Sequence, residues 1–152
     1  ADIFNRQAIK KIFEIKGRDF KKPISILVAD FKDIKKLAIL NRTQEKIAQG
    51  LLPGPFTLIF KKRKLVSKLL TAGSQKIGIR IPDSKICRAL SKNLPITTTS
   101  ANISGQKPTL NIKKLAKIFV DKGVDLILIG RSLSGKASTV IDLTSRPYKI
   151  LR

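Results

Sequence analysis

The chain has 152 residues, of which 42% are apolar, so it is long enough and apolar enough to form a packed domain. One cysteine and no histidine exclude a disulfide framework, a Cys/His metal site and histidine-based catalysis. The net charge of +22 suits an anionic partner such as nucleotide, RNA or a membrane surface, although a lysine-rich composition explains it equally well. No apolar run approaches the roughly 18 residues of a membrane span, so we expect a soluble, cytoplasmic protein without a membrane partner.

Predicted helices and strands alternate along most of the chain. In chain order they are helix 6–17, strand 23–30, helix 30–40, helix 43–52, a turn followed by a strand over 53–61, helical turns 65–70, strand 77–82, helix 83–92, strand and loop 95–105, helix 110–123, strand 124–130, and strands 138–144 and 148–152. Gly17 and Gly123 are expected to end their helices, and Thr43 and Asp83 to cap theirs. Cys87 is expected to be a small core residue. This order predicts an α/β or α+β fold around a mixed sheet.

The stretch GRSLSGKAS, which begins at Gly130, has the spacing of a phosphate-binding Walker A loop. That motif requires Ser or Thr directly after its lysine to hold magnesium, and Ala137 stands there. The motif must also open a helix, whereas the following STVIDL is predicted as a strand. A surface turn containing Lys136 is therefore the favoured interpretation.

A second stretch, EIKGRDFKKP, places four cations around a glycine turn at a helix end. Lys16 and Arg18 flank Gly17, and Lys21 and Lys22 follow closely. Such cations could converge on a phosphate chain, and arginine can bind phosphate with two hydrogen bonds. A solvated basic loop is the alternative, and it would be favoured if this stretch stood alone.

A third stretch, ITTTSANISG, follows a predicted strand with hydroxyls, one amide and a glycine. Open α/β sheets commonly bind ligands where strands end, so Ser100 and Asn102 could hold phosphate, ribose or an amino-acid carboxylate. A polar turn that caps the next helix is the alternative. Arg80 shares a strand face with Gly78 and could anchor a carboxylate, or it could equally face solvent.

Several segments together resemble the YrdC-like threonylcarbamoyl-AMP synthases (the TsaC family). They are IKGR…KKPISILVAD, LLPGPFTLIF, IGIRIPDSKICRAL, TTTSANISG and STVIDLT…ILR, in the family's order. The resemblance implies one YrdC-like domain over residues 1–152, a twisted mixed sheet with surrounding helices and a basic cavity. It implies formation of threonylcarbamoyl-AMP from L-threonine, bicarbonate and ATP, with Mg²⁺ accompanying ATP and no protein-bound metal. Partner proteins would then transfer the threonylcarbamoyl group to tRNA.

The resemblance also assigns roles to residues that match the family's motifs. Its Lys-x-Arg and Ser-x-Asn pairs, which imply catalysis, are Lys16, Arg18, Ser100 and Asn102. The residues implied in ATP binding are Arg18, Lys22, the backbone of Lys76, Ser100, Ser138 and Arg152. Arg80 is implied to pair with the carboxylate of L-threonine, and Thr98 to contact the same substrate.

The sequence departs from the family's pattern in three places. It lacks the initial strand and the Pro-Thr-Asp/Glu-Thr-x-Tyr-Gly-Leu motif, and it contains no methionine, so we expect an N-terminally incomplete domain. Asp19 replaces the proline that usually follows the arginine, and is expected to weaken slightly the hold of Arg18 on phosphate. Leu27 replaces a substrate-binding histidine of some members, as other apolar residues also do.

Two other functions remain open. A module of the same fold that binds tRNA or double-stranded RNA without forming the adenylate is supported by the charge of +22. One Tyr and no Trp offer few stacking platforms for bases, although seven Phe remain. A carbamoyl-adenylate-forming domain of a hydrogenase-maturation protein is the other possibility, and the absence of a neighbouring zinc-finger or acylphosphatase segment disfavours it.

Overall fold

A computed structural model describes residues 1–107, 109, 111–129 and 137–152. Within these residues five helices accompany one mixed sheet of seven strands, which confirms the predicted α/β class. The elements in chain order are α1 (Arg6–Lys16), β1 (Ser25–Leu27), α2 (Phe31–Leu37), β2 (Ala38–Ile39), α3 (Arg42–Leu51), β3 (Phe56–Lys62), β4 (Lys76–Arg80), α4 (Lys85–Leu90), β5 (Ile96–Thr98), α5 (Ile112–Val120), β6 (Thr139–Asp142) and β7 (Lys149–Ile150). No helix in the described ranges is both long and apolar enough to cross a membrane.

The sheet mixes parallel and antiparallel pairs. Its order is β5-β1-β4-β3-β6-β7, and the short β2 pairs with β3 beside this path. The pairs β1–β4 and β3–β6 are parallel, and the remaining pairs are antiparallel. Segments distant in sequence therefore lie side by side at the centre of the molecule.

The sheet has one strongly apolar face. Ile26 of β1 and Leu58 of β3 both lie opposite Ile79 of β4, and all three side chains are fully buried. Phe13 of α1 and Phe60 of β3 belong to the same core. Because successive residues of a strand point to opposite faces, the alternating residues of these strands form a second, more polar face. That face carries the candidate site.

The helix caps differ in part from the predictions. Gly17 ends α1 with φ 55°, a left-handed conformation that glycine adopts without strain, as predicted. Asn41, not Thr43, caps α3, because its side chain accepts the N–H of Gln44 at 2.9 Å in a reciprocal capping box. Ser84, not Asp83, caps α4, because its hydroxyl oxygen accepts the N–H of Cys87 at 3.4 Å, without the reciprocal bond of a capping box.

Other elements also depart from the sequence pattern. Ala38 and Ile39 pair with β3 instead of continuing α2, so tertiary pairing overrides local helix propensity. Residues 65–70 form turns rather than a helix, and 124–129 form no strand with residues that the structure describes. The expectation of a buried strand there was wrong, since Leu126, for example, is 74% exposed. The Walker-like stretch at 130–136 lies outside the described residues.

Two smaller expectations were also wrong. α5 has its C-cap at Asp121, and Gly123 instead adopts a left-handed φ of 79° in the turn that follows. Cys87 is only partly buried, because α4 contributes no buried residue to the core. The strands predicted at 23–30 and 77–82 exist as β1 and β4, and the turn and strand predicted at 53–61 exist as a bend at 53–55 followed by β3.

Candidate active site

Lys16, the last residue of α1, joins the helix to the loop that follows β5. Its side chain is directed inward and the residue is only 3% exposed. The ammonium donates to the carbonyl oxygens of Ser100 and Asn102, each at 2.5 Å, and the N–H of Ser104 donates to the carbonyl oxygen of Lys16 at 2.8 Å. Burial lowers the pKa of Lys16, and the neighbouring charge of Arg18 lowers it further. Lys16 thus holds the backbone of the loop at Ser100, Asn102 and Ser104 by hydrogen bonds from the end of α1.

Ser100 and Asn102 organise the loop through their own side chains. The hydroxyl of Ser100 donates to Oδ1 of Asn102 at 2.5 Å, and Nδ2 of Asn102 donates to the carbonyl oxygen of Gln106 at 2.6 Å. The Ser100 oxygen keeps its lone pairs available to a further donor, since it acts as the donor in this bond. The predicted Lys16, Ser100 and Asn102 therefore form one directly bonded cluster.

Arg18 lies in the turn that follows α1. Its Nε donates to the carbonyl oxygen of Lys22 at 3.1 Å, and Nη2 donates to that of Pro23 at 2.8 Å. Partial burial lowers the pKa of Arg18. Asp19 directs its carboxylate to the N–H of Lys21 at 2.8 Å, within the same turn. The guanidinium is therefore held in place by the loop, its Nη1 has no hydrogen-bond partner among the described residues, and Lys22 is exposed beside it.

The polar face of the sheet is built from small side chains around Gly78. Ser25 of β1 lies opposite Thr98 of β5, and a Cβ atom on Gly78 would lie 2.8 Å from Oγ of Ser25 and 3.2 Å from Cγ2 of Thr57. Glycine is thus required by close approach of neighbouring strands. Ser25, Thr57, Gly78 and Thr98 thus form a shallow polar surface, the floor of the candidate site, beside the cluster of Lys16, Ser100 and Asn102.

Arg80 lies on this same face, two residues after Gly78, as predicted. The neighbours Ile79 and Ile81 are buried on the apolar face, whereas Arg80 is half-buried. Its Nε is the one buried side-chain nitrogen or oxygen, within the described ranges, that lacks a hydrogen-bond partner. An orphaned donor of this kind costs about 1–3 kcal/mol or more when charged, so it favours an anionic ligand at this position.

Ser138 and Arg152 meet at another corner of the sheet. The hydroxyls of Ser138 and Thr57 are 2.9 Å apart, and Nε of Arg152 donates to the carbonyl oxygen of Ser138 at 3.3 Å. Nη2 of Arg152 lies 3.4 Å from the Ser138 hydroxyl. The structure therefore brings these two predicted residues together, with Thr57 linking them to the floor.

Lys76 is engaged differently from the other predicted residues. Its ammonium forms an ion pair with Asp142 at 2.9 Å across the sheet. Burial alone would raise the pKa of Asp142, but hydrogen bonds from Thr144 and Lys76 outweigh burial and hold that pKa below its ordinary value. The ammonium is thus partly neutralised, which is compatible with the expectation that the Lys76 backbone, not its side chain, lies near the nucleotide.

Two site residues were not identified from the sequence. Thr57 is 4% exposed and contacts Ser138, and Ser25 lies against Gly78 and opposite Thr98. Thr57 is the threonine of the Pro-Gly-Pro-x-Thr segment, so that motif held the signal. Ser25 gave no signal, because its role depends on the pairing of β1 with β5.

The sequence matches the model of the Sua5/YciO/YrdC family, described as telomere recombination, over residues 1–152. A putative threonylcarbamoyl-AMP synthase of Methanocaldococcus jannaschii is 41% identical over 143 residues, covering 94% of this chain and 68% of the relative. The threonylcarbamoyl-AMP synthase of Pyrococcus abyssi is 35% identical over 155 residues, covering 100% of this chain and 46% of the relative. The chain thus spans only part of the length of these relatives.

The solved structures agree with these matches. The crystal structure of Pyrococcus abyssi Sua5 complexed with L-threonine superposes with a TM-score of 0.91 at 34% identity, covering 100% of this chain and 46% of that one. Escherichia coli YciO gives a TM-score of 0.87 at 26% identity, with 100% and 75% coverage. The chain therefore belongs to the Sua5/YciO/YrdC family, and the two relatives compared above by sequence are named threonylcarbamoyl-AMP synthase, one of them as putative.

Proposed function

We propose that this chain forms the catalytic domain of a threonylcarbamoyl-AMP synthase. It would convert L-threonine, bicarbonate and ATP into threonylcarbamoyl-AMP, pyrophosphate and water, for N6-threonylcarbamoyladenosine modification of tRNA by downstream transfer proteins. The names of the relatives and the match to a structure with bound L-threonine support this function. Magnesium would enter with ATP as part of the substrate.

The observation that carries the proposal is that Nε of Arg80 is buried above the small polar floor without a hydrogen-bond partner among the described residues. A carboxylate there would accept hydrogen bonds from the planar guanidinium and satisfy the orphaned donor. Thr98, on the same face, would contact the rest of the amino acid. An α-amino acid carries one carboxylate and a hydrogen-bonding amine at fixed separation, which suits a site of one arginine and several hydroxyls.

The nucleotide would bind between two basic parts of the site, the turn of Arg18 and Lys22 on one side and Arg152 on the other. Arg18 and Lys22 would face the phosphates from the turn after α1, and Ser100 would contact them from the loop held by Lys16. Ser138 and Arg152 would contact the nucleotide from the opposite corner. Catalysis of this kind depends on orientation of the reactants and compensation of phosphate charge, which lysine, arginine and hydroxyl groups can supply without histidine.

The test is a pyrophosphate-release assay with ATP, Mg²⁺, L-threonine and labelled bicarbonate, with the nucleotide product identified by mass. We expect release that requires both L-threonine and bicarbonate. Ser100→Ala should reduce it by about 10²- to 10³-fold, the range found for loss of one hydrogen-bond donor at a reacting centre. Ser145→Ala, a serine bonded to the Pro147 carbonyl, is the matched control and should leave the rate unchanged. Release that is independent of L-threonine would contradict the proposal.

An RNA-binding module is the second candidate, favoured by the net charge of +22. Its binding would be sequence-independent and would weaken steeply with salt, because counterions leave the RNA when lysines bind phosphate. A salt titration of duplex RNA binding, run beside an ATP titration, separates the two functions. RNA affinity without any ATP affinity would favour the module over the enzyme.

A further inference from the structure

An aromatic pair lies in the turn that carries Arg18. The rings of Phe13 and Phe20 are stacked with centroids 4.6 Å apart and an interplanar angle of 28°. Phe13 belongs to the core and is 1% exposed, whereas Phe20 remains 46% exposed even with one face of its ring covered. Phe20 is thus an aromatic surface supported from below by the core.

The surroundings of this ring are cationic. Phe20 lies two residues after Arg18 and directly before Lys21 and Lys22, whose backbone N–H groups are bonded to Asp19. The turn is therefore fixed at both ends, by these bonds and by the bonds of the Arg18 guanidinium to the carbonyl groups of Lys22 and Pro23. A rigid, exposed aromatic ring next to positive charge fits a ligand that combines a flat aromatic group with phosphates.

We propose that Phe20 is the stacking platform for the purine base of the nucleotide, and therefore a positioning residue for ATP. This inference rests on the proposed function, because it assumes that the phosphates lie at Arg18 and Lys22. Stacking of a base on Phe20 would cost little side-chain conformational entropy, because the ring already packs on Phe13 and has only two torsion angles to fix. The platform also explains why an apolar aromatic residue is exposed within a run of charged ones.

The absence of tryptophan from the chain makes a direct test possible. Phe20→Trp introduces a single tryptophan at the platform, and stacking of a purine should quench its fluorescence. ATP should quench it on binding, and inorganic tripolyphosphate, which has no base, should bind without quenching. Phe4→Trp is the matched control, since Phe4 is 55% exposed and lies before α1, and its fluorescence should not respond to ATP.

Phe20→Leu gives the corresponding affinity test. Stacking on one aromatic side chain corresponds to about a 5- to 150-fold change in affinity, so ATP binding should weaken at least about fivefold. Tripolyphosphate binding should stay within about twofold of wild type, which a general loss of folding would not allow. Equal ATP affinity in Phe20→Leu with no quenching in Phe20→Trp would overturn the platform and leave the proposed function intact. Failure of the wild-type chain to bind either ligand would overturn both.

Discussion

Replacement of Lys16 by methionine removes the ammonium that holds the loop of Ser100 and Asn102. Methionine has a similar length and fits an apolar environment, so the change deletes hydrogen bonds with little loss of volume. Two charge-assisted bonds at 2.5 Å are lost, each worth about 1.5–3 kcal/mol. Release from the cost of burying the ammonium offsets part of this sum. We expect a net decrease of about 2–3 kcal/mol in the free energy of unfolding.

The effect on ligand binding should be larger than the effect on stability suggests. Without the Lys16 ammonium, the carbonyl groups of Ser100 and Asn102 would hydrogen-bond to water instead. The loop would then lose its fixed conformation, and the binding of ATP would have to restore it. ATP affinity should therefore fall about tenfold or more, as expected when ordering costs are moved to the binding step. Urea unfolding followed by circular dichroism gives the stability, and calorimetric titration gives the affinity.

Lys62 provides the matched control. It is also buried, at 8% exposure, but its ammonium donates to a single carbonyl group, that of Val66 at 2.9 Å, outside the candidate site. Lys62→Met should lower stability by about 1 kcal/mol and leave ATP affinity unchanged. Equal effects of Lys16→Met and Lys62→Met on ATP affinity would refute the role of Lys16 in ordering the loop.

Two further predictions concern stability. Gly78→Ala should destabilise the domain by about 1–3 kcal/mol, because the new methyl group would lie 2.8 Å from Oγ of Ser25. Gly50→Ala, in α3, should stabilise it by about 0.5–1 kcal/mol, because its methyl group would meet no atom within 4 Å. Urea unfolding measures both changes, and a change of the same sign in the two variants would contradict the prediction. Asp142 has a lowered pKa in the folded state, so its stabilising contribution is complete above the ordinary value of 3.8 and is lost as the pH falls through the lower, folded value. Asp142→Asn should therefore be less stable than wild type above about pH 5 and should approach it in stability as the pH falls further, in acid unfolding followed by circular dichroism; parallel curves for the two proteins would count against the ion pair with Lys76.

Most elements of the fold could be predicted from periodicity, because apolar residues repeat with the helix or strand period in nearly all of them. The errors arose where pairing partners distant in sequence decide the outcome. Ala38 and Ile39 look helical alone, and they become a strand because β3 offers free hydrogen-bonding groups. Segment 124–129 is apolar enough for a buried strand, and Leu126, Leu128 and Ile129 are nevertheless exposed.

The candidate site could be predicted only where one segment contains the signal. Lys16, Arg18, Ser100 and Asn102 stand in short motifs, and the structure brings Lys16 into contact with the Ser-x-Asn loop. The role of Gly78 as the low point of the floor could not be predicted, because it depends on Ser25 and Thr57 from two other strands. The burial of Arg80 was equally undetermined, because it depends on the strands and helices that pack beside β4.

The most direct test of the proposed L-threonine site is calorimetric titration of L-threonine into wild type, Arg80→Leu and Arg6→Leu. Arg6 is an exposed arginine of α1, so its variant loses the same charge away from the sheet. Arg80→Leu should weaken binding about 10- to 150-fold, from loss of a charged hydrogen-bonded pair, while its stability to urea stays the same or rises because an unpartnered buried donor is removed. Arg6→Leu should bind like wild type. Unchanged L-threonine affinity in Arg80→Leu would contradict the assignment of this site.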